Sequence, residues 1–247
     1  MPLRHTYGMI RSEFILTKAK FALTNHLCRY EENPSQDYLI NAISISRSWS
    51  IQHLFGYAFD HFRRQFLQGR IHPAIVLGVA RKYGIPSLIA PAVGALARPS
   101  ITFASWCINP DILRHSTLED VTVIGRMKEK LWSARAALCK VPPVTHNLAS
   151  CLHGRQDTCY RSWRQFWLLD VAPKLLQLND ELENRMMWIG TEFLARAKVE
   201  GMTKGCLEHT IEKVGAGVGW RAEIQIPQGA IERLMVPERM MLTPDLE

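Results

Sequence analysis

The chain has no apolar run approaching the roughly 18 residues that a bilayer crossing requires. Its longest greasy stretch, around Ala74 to Ala80, is far too short, so no membrane partner is expected. Asn-x-Ser/Thr acceptors, low-complexity tracts and internal repeats of fixed length are all missing. A basic start (Arg4, Arg11, Lys18 and Lys20 against Glu13) is not followed by the uninterrupted apolar core of a secretory leader. Six cysteines in 247 residues are too few and too irregularly spaced for a disulfide framework. Reduced thiols, and hence a cytoplasmic or nuclear location, are the expectation.

Catalytic templates are absent as well. There is no phosphate-binding Walker loop, no His-Glu-x-x-His, no Gly-x-Ser-x-Gly elbow and no kinase signature. Gly215, Gly217 and Gly219 imitate a dinucleotide fingerprint, but they follow a helical pattern where that motif needs a strand. A non-enzymatic protein is therefore expected.

What the chain does have is a core's worth of apolar residues, 47% of the total, arranged at helical spacing. From Ser116, the run Ser-Thr-Leu-Glu places an acid three residues after a hydroxyl, the signature of a capped helix start. Ile124, Met127, Leu131, Ala134 and Leu138 then recur at steps of three and four, with Arg126, Lys128, Glu129, Lys130 and Arg135 mostly on other faces. That helix should stop before Pro142 and Pro143. Upstream, Asp37 to Ser46 and Ile51 to Phe66 read as helices, the second with Leu54, Tyr57, Ala58, Phe62 and Phe66 largely on one side. Two shorter helices follow, one opened by His72 and Pro73 and ending at Gly84, the other running from Pro86 through Ala97. Downstream, Tyr160 to Leu176, Glu181 to Val199 and Thr203 to Val214 look helical. The middle one shows the stripe Leu182, Met186, Ile189, Phe193, Ala197. Trp220 to Ile226 reads as either extended or helical. The expectation is an all-α, irregular bundle of about 8–10 helices with little or no sheet. Its parts would be an arm at 1–35, helices at 36–100, a helical region with a Cys/Trp cluster at 101–236 and a tail at 237–247.

Charge is unevenly spread. Residues 1–98 hold 12 Lys and Arg against 5 Asp and Glu, residues 99–180 hold 10 against 7, and residues 181–247 hold 8 against 11. A basic first part suits an anionic partner or simply a solvated face, and because its basic residues are scattered or paired with no base-reading motif beside them, nucleic acid is not the expected partner. Metal chemistry has one candidate cluster: Cys151, His153, Cys159 and, from a later helix, Cys206, flanked by Cys139 and His146. Three sulfurs and one imidazole would close a tetrahedral zinc site. The competing reading is that these are small buried core side chains, and no cofactor is then needed. Trp163, Phe166 and Trp167, interleaved with Arg161 and Arg164, are read as core rather than as a stacking surface.

Three stretches in order carry a family resemblance. They are Leu39 to Trp49 with Ile51 to Phe66, then Val79 to Leu88 with Pro91 and Ala92, then Cys151 to Trp167 with Ala172 to Leu176 and Gly201 to Cys206. This succession, over residues 36–235, resembles the last helices of a BTB/POZ domain and the Cys-rich, Trp-containing helical region behind it in fungal, basidiomycete-type BTB-domain proteins. Only 35 residues precede the matching region and they show no strand pattern, so the BTB core is expected to be truncated. Where the family continues with His-Pro after the helix matching Lys174 to Leu176, this chain has Gln177 and Leu178. The resemblance implies protein–protein interaction: BTB proteins pair with themselves, and some recruit substrates to cullin-type ubiquitin ligases. It implies no catalytic residue. The alternative reading is a zinc-stabilised helical module that binds nucleic acid through its basic N-terminal part.

Overall fold

A computed structural model of the chain describes residues 34–98, 101, 106, 108–140, 142, 156–177, 185–215 and 217–236. The protein is all-α, with helices, turns and no strand among the described residues. These residues fall into two compact units, one ending at Ile89 and one beginning at Ala90.

The first unit holds α1 (Gln36–Ser48), α2 (Gln52–Leu67), α3 (Pro73–Lys82) and a 3-10 turn at Pro86–Leu88. Ser35 starts α1 by accepting the Tyr38 amide at 3.3 Å. Leu39, Ile40, Ala42 and Ile43 of α1 are buried, as are Leu54, Ala58, Phe62 and Phe66 of α2, and the two helices pack together. Tyr57, expected on that stripe, is only half-buried. The α2 row steps by four residues, so it drifts by about 40° per step around a regular helix. Such a row is a ridge that fits the groove of a crossing neighbour.

All three helices stop in the same way. The amides of Ile51, Arg70 and Ile85 reach back to the carbonyls of Ser46, Gln65 and Ala80 at 2.9, 2.9 and 2.7 Å. The residue before each is left-handed: Ser50 at φ 54°, Gly69 at 71° and Gly84 at 61°. This is the Schellman stop, and Ile51 and Ile85 add its buried apolar contact. At the other end of α3, Pro73 takes the first helical position and His72 Nδ1 accepts the Ala74 amide at 3.2 Å. Ala74 through Ala80 are buried without a break, so this helix has no solvent face there.

The second unit begins within α4 (Ile89–Ala97) and continues with α5 (Pro110–His115) and the long α6 (Leu118–Lys140). Asn109 caps α5 through the Asp111 amide at 2.9 Å. The capping box of α6 lies one residue later than the sequence suggests. Thr117 Oγ1 accepts the Asp120 amide at 3.1 Å and Asp120 Oδ2 accepts the Thr117 amide at 2.8 Å. Ser116 is otherwise engaged: its hydroxyl donates to the Ile112 carbonyl and accepts from Trp106 Nε1. The overlapping run Ser-Thr-Leu-Glu-Asp offers both registers, and the tertiary bond to Trp106 decides between them.

Two helices of this unit are interrupted by π turns. α7 (Gln156–Phe166) runs through a π segment at Trp167–Val171 into α8 (Ala172–Leu176). α9 (Arg185–Trp188) runs through a π segment at Ile189–Phe193 into a 3-10 turn at Leu194–Arg196. In the first, Trp163, Trp167, Val171 and Leu175 are all buried at strict four-residue steps. A π turn holds more residues than an α turn, which cancels the drift such a row would otherwise show. Pro173 supplies a local cause, because it cannot bond back to Leu169 and its ring presses on that carbonyl. In the second, Met186, Gly190 and Leu194 repeat the step, and Leu194 takes the buried place the sequence assigns to Phe193. Leu182 lies outside the described residues. A Cβ at Gly190 would stand 2.7 Å from Trp220 Cδ2, so only glycine lets that indole lie against the backbone.

α10 (Lys204–Gly215), a 3-10 turn at Val218–Arg221 and α11 (Ala222–Met235) complete the unit. The segment from Trp220 is thus helical, and it continues through a buried Pro227. Trp163, Trp167 and Trp220 form the centre, with ring centroids 5.5 and 5.9 Å apart in sequence along the trio. Their polar ends are satisfied: Trp167 Nε1 donates to the Leu138 carbonyl at 2.8 Å and Trp220 Nε1 to that of Val214 at 2.6 Å.

Candidate functional site

Cys159 sits in α7 and Cys206 in α10, and both are buried. The Cys159 thiol points at the Gly201 carbonyl, 4.0 Å away. Gly201 is left-handed at φ 82°, and a side chain there would run into Ser162 of α7, so the turn is closed tightly over that helix. The other two zinc candidates, Cys151 and His153, lie outside the described residues, as does His146. Among the described residues no group of three or more His, Cys, Asp or Glu is placed to hold a metal ion. His209 comes one turn after Cys206 on α10, and its Nε2 is buried with no hydrogen-bond partner among the described residues. The spacing of three on a helix is the sequence signal that places it beside Cys206. Cys139, which flanks the cluster in sequence, donates to the Ala172 carbonyl at 3.6 Å, and burial pushes its thiol pKa up. A thiol held in its neutral form is a poor nucleophile.

The strongest polar feature joins residues far apart in the sequence. Arg135, expected to face outward, is 8% exposed and joins Glu223 of α11. Its Nε and a terminal nitrogen both donate to Glu223 Oε1, at 3.1 and 2.6 Å. Glu223 Oε2 accepts the Met186 amide at 2.7 Å. One carboxylate thus ties α6, α9 and α11 together, with every charge partnered. The arrangement suits a structural clamp, because neither group is left to meet a substrate.

The aromatic cluster is interior: Trp163, Trp167 and Trp220 are each at most 3% exposed. The π segment has the opposite effect on its neighbours. Leu168, Leu169 and Leu176 are 43%, 65% and 39% exposed, within nine residues of one continuous helix. No helix among the described residues is long and apolar enough to cross a membrane. Comparison with known proteins adds no assignment: no family model matches the chain, and neither the curated proteins nor the solved structures give a match.

Proposed function

We propose that the protein is a non-enzymatic protein–protein interaction module, a diverged relative of the BTB/POZ-domain proteins its sequence resembles. It docks a protein partner through the exposed leucines of the α7–α8 helix. The observation that carries this reading is Leu168, Leu169 and Leu176 standing in solvent on a helix whose other side is packed with tryptophan. Single exposed apolar residues are ordinary, but a local group of large ones is how interaction surfaces are made. Among the described residues Cys139, Cys159 and Cys206 form no disulfide, which supports a reducing compartment, the cytoplasm or nucleus.

The test is quantitative affinity capture of the tagged chain beside its Leu168→Glu/Leu169→Glu variant. Both positions are exposed, so the variant keeps its circular dichroism and unfolding midpoint. Partners enriched by the wild type should fall at least about tenfold, which corresponds to a loss of about 1.4 kcal/mol. Equal capture by both proteins, or no partner above an untagged control, refutes the reading.

A further inference from the structure

The outer face of α2 has features that its packing against α1 does not use. The inner row is Leu54, Ala58, Phe62 and Phe66. On the opposite side the helix exposes Asp60, Arg63 and Arg64, and at the centre of that side stands Gly56. Half-buried rings border it: Phe55 and Phe59 on one flank, stacked at 5.7 Å with planes 15° apart, and Tyr57 and His61 on the other, 4.5 Å apart. The Arg47 guanidinium lies over Phe55 at 4.8 Å and extends that stack by one more flat group.

Glycine inside a helix is less favourable than alanine, because it gives up more backbone freedom on folding. A Cβ at Gly56 would meet nothing within 4 Å, as is also true of Gly94, Gly205 and Gly229 in other helices, so no neighbour in the fold requires the gap. The bare backbone between two borders of rings instead leaves room for a flat ligand to come close.

Charge narrows the ligand. Residues 34–89 carry six cations (Arg47, Arg63, Arg64, Arg70, Arg81, Lys82) against two acids (Asp37, Asp60). Arg63 and Arg64 are exposed and join no ion pair among the described residues. Rings for stacking beside arginines for phosphates is the chemistry of a single-stranded nucleic acid, whose unpaired bases offer flat faces that a duplex hides. We infer that the outer face of α2 binds single-stranded nucleic acid, with bases against the Phe55–Phe59 stack and phosphates on Arg63 and Arg64. This surface is independent of the leucines assigned to partner docking.

The experiment uses the full chain and a labelled mixed-sequence DNA or RNA strand of about 20 nucleotides, followed by fluorescence anisotropy. Contact with about three phosphates predicts a loss of roughly 10- to 20-fold in affinity between 50 and 200 mM salt. Arg63→Gln/Arg64→Gln, at exposed positions that leave the fold alone, should remove most of that salt dependence. Phe59→Leu should weaken strand binding at least about fivefold while leaving heparin binding unchanged, because heparin has charge but no bases to stack. Gly56→Leu should weaken it too, by filling the gap. The inference is overturned by no strand binding at the lower salt, by variants that bind like the wild type, by Phe59→Leu weakening heparin equally, or by a poly-glutamate peptide binding more tightly than the strand.

Discussion

In residues 34–89 three successive helices stop on the same hydrogen-bonded turn, whereas from Ala90 onward the helices are kept in register by two π segments and a buried ion pair. Both regions contain apolar rows spaced by four residues. In α2 the row Leu54, Ala58, Phe62, Phe66 stays on a regular α-helix and slants across it to meet α1. In α7 and α8 the row Trp163, Trp167, Val171, Leu175 is straightened by a π turn so that every member enters one core. Small residues such as Ala58 let a slanted ridge settle into a groove. Indoles do not shrink, so the backbone adjusts instead.

If the second unit depends on its clamp, removing one charge should do more harm than any change to a helix end. Glu223→Ala is expected to cost about 3–5 kcal/mol in urea unfolding, because Arg135 is left buried without its partner and the Met186 amide loses its acceptor. The double variant Arg135→Met/Glu223→Leu should recover much of that loss. A double variant no better than the single would mean that the site is held by shape rather than by charge.

A smaller loss, about 1–3 kcal/mol, is expected for Gly190→Ala, since the new methyl group overlaps the Trp220 ring. Trp220→Leu in the same chain should make Gly190→Ala nearly neutral, and a double-mutant cycle reads that coupling directly.

In the first unit the informative change is a gain. Ser50 occupies the left-handed position that Gly69 and Gly84 fill elsewhere, and a side chain there is strained. Ser50→Gly should raise stability by about 1 kcal/mol. No gain would show that the serine makes a compensating bond.

The smallest effect is set by pH. Burial lowers the His72 pKa below its ordinary 6.5. On acidification the unfolded chain takes up the proton first, so the stability present above pH 6.5 is lost as pH falls through the folded pKa. Protonated Nδ1 also cannot accept the Ala74 amide, and a loss of about 0.5–1 kcal/mol is expected. His72→Asn keeps a capping oxygen without titrating, and its stability should be flat over that range.

The sequence showed the helices whose spacing alternates between three and four. Residues 118–140 stand out because Ile124, Met127 and Leu131 satisfy no other period. It hid the π turns, because a row stepping by four looks over two turns like an ordinary stripe, and only the burial of Leu194 in place of Phe193 separates them. The short helix α5 had its signal in Asn109 and Pro110, a cap followed by a proline, but it is too short to show a period. The burial of Arg135 is not legible locally, because a lone charge on a helix is ordinarily solvated and its partner lies 88 residues away. Of the four zinc candidates, Cys159 and Cys206 are buried core thiols, and a sequence does not distinguish a thiol that packs from one that ligates.

The π turn at Trp167–Val171 leaves this helix with one residue to spare. Deletion of a single leucine at 168 or 169 would restore ordinary α geometry and still return the tryptophans upstream and the valine and leucine downstream to the same side. At this point of the chain a codon-length loss, usually ruinous inside a helix, becomes about as mild as a point substitution.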